Sequence, residues 1–341
     1  MHRPDYPLSA RISSAAIKPL RIVIVTPAAP GSRHGNRNTA LRWARHLRAL
    51  GHEADVAVEW DGRDADVLIA LHARRSHAAI KAWKTAHPQR PLALLLTGTD
   101  LYRDIRSDAA ARASLRLADR MVVLQPKGLD ELSAAQRTKT RVIFQSVPAM
   151  RRRAPPRSYF LVTVIGHLRE EKDPFRAALA LARLPQRAIR VVQLGKAMTS
   201  EMGRRARALM RAEPRYRWLG ELDHAGAMRW LARSHVMVIS SQMEGGAHVV
   251  SEAIAIGVPV IASAIPGNIG LLGARYPGYY PFADEAALSA QLAHAQSKPA
   301  RLAALAAAVR ARRSEVDPAA ERAAISSLIA DLVQASGGPR K

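Results

Sequence analysis

Glu244 and Glu252 lie eight residues apart in SSQMEGGAHVVSEAIAIGVPVIAS (240–263), the first just before a Gly-Gly pair. The pattern predicts a helix that begins near Ala247 and stops at Gly257, with Glu244 in the loop and Glu252 about two turns further on. A carboxylate accepts paired hydrogen bonds from a vicinal diol. Free N–H groups at a helix start, here those of Gly245, Gly246, Ala247, His248 and Val249, suit phosphate or sugar oxygens. A second charged segment, GHLREEKDP (166–174), sets Arg169 and Lys172 three apart where another helix should open. A diphosphate there would meet two cations and unpaired amides. The competing reading pairs both cations with Glu170 and Glu171 on a solvated turn.

Three further segments carry polar groups to the ends of apolar runs. In PAAPGSRHGNRNT (27–39), Gly31 and Gly35 permit close backbone approach, Asn36 and Thr39 share a face at a helix start, and Arg33, His34 and Arg37 crowd the same loop. This turn lacks the G-x-G-x-x-G spacing of dinucleotide sites. ALHARRS (70–76) and LTGTDLYRD (96–104) bring His72, Arg74, Arg75, Thr97, Thr99, Asp100 and Arg103 to the carboxyl ends of two predicted strands, where open parallel sheets bind ligands. Arg33, Arg37, Arg74 and Arg75 are candidate cations for an anionic substrate, and each has a surface reading as well. Asp100 is a candidate to position groups or shuttle protons. His72 has two readings, a buried structural histidine or a contact to a sugar hydroxyl.

These segments are positioned by apolar runs that alternate with helical stretches, the pattern of βαβ units in parallel sheets. Strands are predicted at 21–26, 54–58, 67–71, 92–96, 121–124 and 141–144, then at 160–166, 190–194, 216–220, 236–240 and 258–263. The helix Asn38 to Leu50 places Leu41, Ala44, Leu47 and Leu50 in a stripe ended by Gly51. Pro and Arg break the rhythm at 148–158, which reads as a linker. The organisation is therefore an extension (1–19), a first Rossmann-like domain (20–147), the linker, a second such domain (159–316), a helix (317–335) able to pack across either domain, and a tail (336–341). At 341 residues the chain exceeds what one core usually supports.

The net charge is +24, from 52 Lys plus Arg against 28 Asp plus Glu. That balance raises a nucleic-acid reading, but the arginines are scattered along predicted helices without an aromatic-interleaved stripe, so small anionic substrates fit better. Cysteine is absent, which removes disulfides and thiolate metal sites and suits a reducing compartment. No stretch reads as a secretory leader or a membrane span, and cytoplasm is the expected location.

The 240–263 stretch resembles the E-x7-E signature of the retaining GT-B glycosyltransferases of family four. The resemblance implies an α/β GT-B fold, two Rossmann-like domains with parallel sheets facing a central cleft. It assigns Glu252 to the nucleotide ribose and Glu244 to the donor sugar. GHLREEKDP is similar to that family's G-R-L-x-x-x-K-G segment, with Lys172 on the lysine, His167 on the arginine and Arg169 as its substitute. RYRWLGEL (215–222), ending at Leu222, resembles the segment whose loop touches the base. GSRHGN resembles the loop near the diphosphate, which brings Gly31, Asn36 and Thr39 to the donor. Over roughly residues 20–300 the chain also resembles the selenosugar synthases of selenoneine biosynthesis, through PGSRHGNRNTALRWARHL, LTGTDLYRDI, VLQPKGL, VIGHLREEKDPFRAALA, EGGAHVVSEAIAIGVPVIASAIPGNIGLLG and YPGYYP. That resemblance implies a UDP-sugar donor such as UDP-N-acetylglucosamine, selenophosphate as nucleophile and acceptor, a 1-selenosugar product, and no metal or cofactor. The rivals are a same-fold enzyme using a hydroxyl or thiol acceptor, a sugar-nucleotide epimerase, and a basic nucleic-acid-binding protein.

Overall fold

The structure is a computed structural model that describes residues 18–32, 35–185 and 188–335. The expected extension up to residue 17, Arg33, His34 and the tail from 336 lie outside the described residues. Strands β1 (Arg21–Val25), β2 (Glu53–Ala57), β3 (Val67–Leu71), β4 (Leu92–Leu96), β5 (Arg120–Val123) and β6 (Thr140–Val142) form one parallel sheet, ordered 2-1-3-4-5-6. Strands β7 (Phe160–Ile165), β8 (Ile189–Leu194), β9 (Tyr216–Trp218), β10 (Val236–Ile239), β11 (Val260–Ser263) and β12 (Tyr279–Tyr280) form a second, ordered 12-11-10-7-8-9.

VLIAL and LALLL are buried at every position, as strands covered by helices on both faces must be. The edge strand β12 has only two residues and no apolar run, so the sequence pattern does not signal it.

The first helix, Gly35–Ala49, starts earlier than its periodicity suggests and buries Ala40, Trp43, Ala44 and Leu47. Leu41, expected in the buried stripe, is exposed instead. The stripe is rotated because Trp43 is the large side chain that fills the space beside the C-terminal helix, Pro318–Ala335. From that helix Ile325, Leu328, Ile329 and Leu332 enter the first domain's core against Trp43 and Leu47. Each such burial contributes roughly 1.5–3 kcal/mol, which holds the chain's end on its beginning. Residues 148–158 have no regular structure. The Arg153 N–H donates to the Ala232 carbonyl at 3.0 Å, which lays the linker along the second domain.

Candidate active site at the domain junction

Each sheet reverses its strand order once, between β1 and β3 and between β7 and β10, and parallel sheets open a ligand crevice at such points. In the second sheet, the segments after β7 and β10 are thereby side by side. Ser241 Oγ donates to Glu244 Oε1 at 2.5 Å, and Lys172 Nζ donates to the same oxygen as an ion pair. Ser240 Oγ donates to the Asp173 carbonyl at 2.7 Å, and the Gln242 N–H to the Glu171 carbonyl at 2.9 Å. Two stretches 70 residues apart in sequence thus form one polar floor.

The segment around Arg169 differs from its sequence reading. Glu170–Lys172 is a single 3₁₀ turn that closes with Asp173 in the left-handed region (φ 40°), and the helix begins only at Arg176. Lys172 and Asp173 donate their N–H groups to the carbonyls of Arg169 and Glu170, so the helix start does not supply free amides at those positions. The left-handed Asp173, a residue type that tolerates this conformation, turns the chain back before helical bonding can propagate. The two cations also take different partners. Arg169 is half exposed, 4.0 Å from Glu171, while Lys172 is held by Glu244. His167 Nδ1 accepts the Lys196 N–H at 3.2 Å, which orients its ring toward the loop after β8.

The helix His248–Ile256 opens after Ala247 and ends at Gly257, whose φ of 85° permits the αL stop. Glu252 on this helix is buried, and His224 Nε2 lies 2.7 Å from its Oε1, with His248 Nε2 at 3.7 Å. The bond to Glu252 raises the His224 pKa above its ordinary value. Desolvation pushes His248 down to about 4, which leaves it neutral at the helix start. His224 went unnoticed in the sequence. It stands two residues past Leu222, where the family-like segment stops, and begins the helix that Asp223 caps through the Gly226 N–H at 2.8 Å.

In the first domain, His72 directly follows β3 with φ 77°, an uncommon conformation for a histidine and a mark of local strain at a site. The Arg75 N–H approaches its Nδ1 at 3.3 Å, so the ring proton belongs on Nε2, which donates to Thr99 Oγ1 at 3.1 Å. That leaves the Thr99 hydroxyl proton to turn outward. Burial lowers the His72 pKa and keeps the ring neutral.

Asp100 is fully buried: its Oδ1 accepts the N–H groups of Thr97 and Gly98 at 2.9 and 2.8 Å, and its Oδ2 that of Ala73 at 2.9 Å. Of the two readings of Asp100, positioning groups or shuttling protons, these three amides favour the first, since the carboxylate braces two strand ends together. Asp104, on the same π-helical turn (Asp100–Asp104), gathers Arg74 at 2.9 Å and Arg103 at 3.1 Å. Arg75 is exposed. Arg37 has an enclosed Nη1 with no hydrogen-bond partner among the described residues.

The glycine pair also meets the first domain. A Cβ on Gly245 would overlap the Thr97 carbonyl, and one on Gly246 would overlap Leu124. These glycines let the two domains touch. Thr39 lies at the junction, where it is buried and donates to Gln145 Oε1 at 2.9 Å. Asn36 and Gly31 stay at the first-domain rim, Gly31 at φ 77°. Leu222 is partly buried against the Leu161, Val192 and Leu194 cluster. Among the described residues, no helix is long and apolar enough to cross a membrane.

The architecture recurs in known proteins. Residues 149–312 match the model of the family "Glycosyl transferases group 1". A curated relative from Xenopus tropicalis, "Glycosyltransferase 1 domain-containing protein 1", is 22% identical over 267 residues, covering 70% of this chain and 77% of that protein. Among solved structures, Anabaena HepE in complex with UDP-glucose superposes with a TM-score of 0.73 at 15% identity, over 92% of this chain and 100% of that one. A sucrose-phosphate synthase from Thermosynechococcus elongatus gives 0.74 at 18% identity, over 92% and 99%. The chain thus has the GT-B fold, and its second half is similar to the glycosyl transferases group 1 model.

Proposed function

We propose that the protein transfers the sugar of a UDP-sugar, UDP-N-acetylglucosamine by preference, to selenophosphate, yielding a 1-selenosugar. The observation that carries the transferase reading is the Lys172–Glu244 pair, set at the second sheet's switch point. A donor replaces both halves of that pair at once. Its diphosphate takes the ammonium, and its sugar hydroxyls take the freed carboxylate. Glu252 then exchanges His224 for the ribose diol. Lys172, with Arg169 beside it, meets the negative charge that grows on the departing diphosphate, without a metal ion in this reading. That HepE binds UDP-glucose in the same fold supports a uridine nucleotide as donor.

The acceptor assignment rests on the resemblance to selenosugar synthases and on the chemistry of the first-domain rim. Among the described residues, the rim carboxylates Asp100 and Asp104 are already engaged, the first by amides and the second by arginines. Such a rim suits a nucleophile that arrives already anionic, needing orientation rather than deprotonation. Arg37, Arg74 and Arg75 supply cations there, and Thr97, Thr99 and His72 supply polar contacts. A selenium lone pair forms the C1–Se bond as the C1–O bond to UDP breaks, with that electron pair leaving on UDP. Water then cleaves Se–P, releasing phosphate and the selenol.

Mass analysis of products from purified protein, UDP-N-acetylglucosamine and selenophosphate tests this, with thiol and hydroxyl acceptors in parallel. A selenium-bearing sugar and UDP are expected. UDP release only with the other acceptors refutes the selenium assignment, and conversion of the nucleotide sugar without any acceptor points to an epimerase.

A further inference from the structure

Gln145 is 4% exposed and follows the last strand of the first sheet, facing the Gly-Gly turn of the second domain. Its Oε1 accepts from Thr39 Oγ1 at 2.9 Å and from Arg42 Nη2 at 3.0 Å, and its Nε2 donates to the Gly246 carbonyl at 2.5 Å. The amide orientation is fixed by chemistry, since a guanidinium has no acceptor and a carbonyl no donor. Arg42 is itself held by Glu321 of the C-terminal helix, at 2.9 Å, and Glu321 also takes the Ser146 N–H at 2.9 Å. Gln145 therefore joins the first helix to the Gly-Gly turn, and through Arg42 reaches the C-terminal helix. Gly245 lies against Thr97 and Gly246 against Leu124, with no room for a Cβ at either position.

We propose that Gln145 is a positioning residue that holds the Glu244–Gly246 turn against the first domain, so that its loss lets the two domains part there and moves Glu244 from its place. This rests on the reading of the cleft as a nucleotide-sugar site. The residue touches no substrate. Its hydrogen bond to Gly246 is the interaction that domain opening must break, and the turn beside it carries Glu244.

Gln145→Glu separates this role from a merely structural one. Glutamate keeps acceptors for Thr39 and Arg42 but sets a carboxylate oxygen against the Gly246 carbonyl, so the first domain stays braced while the turn is repelled. The expected result is a larger radius of gyration by small-angle X-ray scattering, a kcat lowered about tenfold or more, and a UDP affinity within about threefold of wild type. Gln145→Ala should behave alike, with a lower melting temperature in addition. If Gln145→Glu scatters like wild type and turns over at the wild-type rate, the proposal is overturned. Equal losses in both variants that track only the fraction of unfolded protein overturn it too. The scattering arm needs no turnover, so it stands apart from the assignment of the reaction.

Discussion

The Lys172–Glu244 pair makes a prediction whose sign is unusual for a binding-site carboxylate. Both charges are largely sheltered, with side-chain exposures of 23% and 8%, and Ser241 also serves the same Glu244 oxygen. An ion pair of this shelter is worth about 1 kcal/mol, at the upper end of the surface range. UDP alone must break it to reach Lys172, yet offers no sugar hydroxyl to Glu244 in return. Glu244→Gln releases the ammonium beforehand, and so should tighten UDP by about 1 kcal/mol, or about fivefold. The same variant should weaken the UDP-sugar, because an amide is a poorer acceptor for the sugar hydroxyls. Lys172→Ala removes a charge-assisted contact of about 1.5–3 kcal/mol and should weaken both ligands by at least tenfold. Titration calorimetry of the variants with UDP and with UDP-N-acetylglucosamine measures all four changes. Equal weakening of UDP and UDP-sugar by Glu244→Gln would show that the pair is not what the ligand has to open.

Other outcomes follow from the buried carboxylates and histidines. The raised pKa of His224 comes from Glu252, so the stabilisation it brings is complete below pH 6.5 and fades as pH rises through the raised value. A ribose that displaces the imidazole releases its proton, so UDP affinity should climb with pH across that window and lose the dependence in His224→Asn; a flat wild-type profile removes His224 from the site. Asp100→Asn opposes an amide NH₂ to a backbone N–H and should cost about 2 kcal/mol in urea unfolding, with the pH–rate profile of the folded enzyme unchanged. A shift in that profile would restore Asp100 as a proton carrier. Burial opposes ionisation of Glu321, but His46, Arg42 and Ser146 outweigh it and hold the carboxyl at about 2. Its contribution is therefore present above pH 4.5 and lost as pH falls toward 2, and Glu321→Gln should cost about 3 kcal/mol near neutrality while acid unfolding becomes shallower. An unchanged acid limb would refute that assignment.

The sequence by itself determined the sheet architecture and the strand ends. Runs such as VLIAL and LALLL can be satisfied only between helices, and parallel strands so buried leave their carboxyl-end loops as the place for chemistry. Glu252 and the Gly257 stop were legible for the same reason: helical spacing and a left-handed glycine are local signals. Tertiary structure alone decided the partners. Lys172 meets Glu244 across 72 residues because β7 and β10 are sheet neighbours, a fact of strand order that no local pattern records. Gln145 and Glu321 have no signal at all in the chain, since their meaning comes from helices that pack together from opposite ends of the sequence. Gly245 and Gly246 read as a turn into a helix start, and the structure adds that the other domain lies against them. Backbone freedom is written in a residue's type, whereas the atoms that approach it depend on how two domains come to rest.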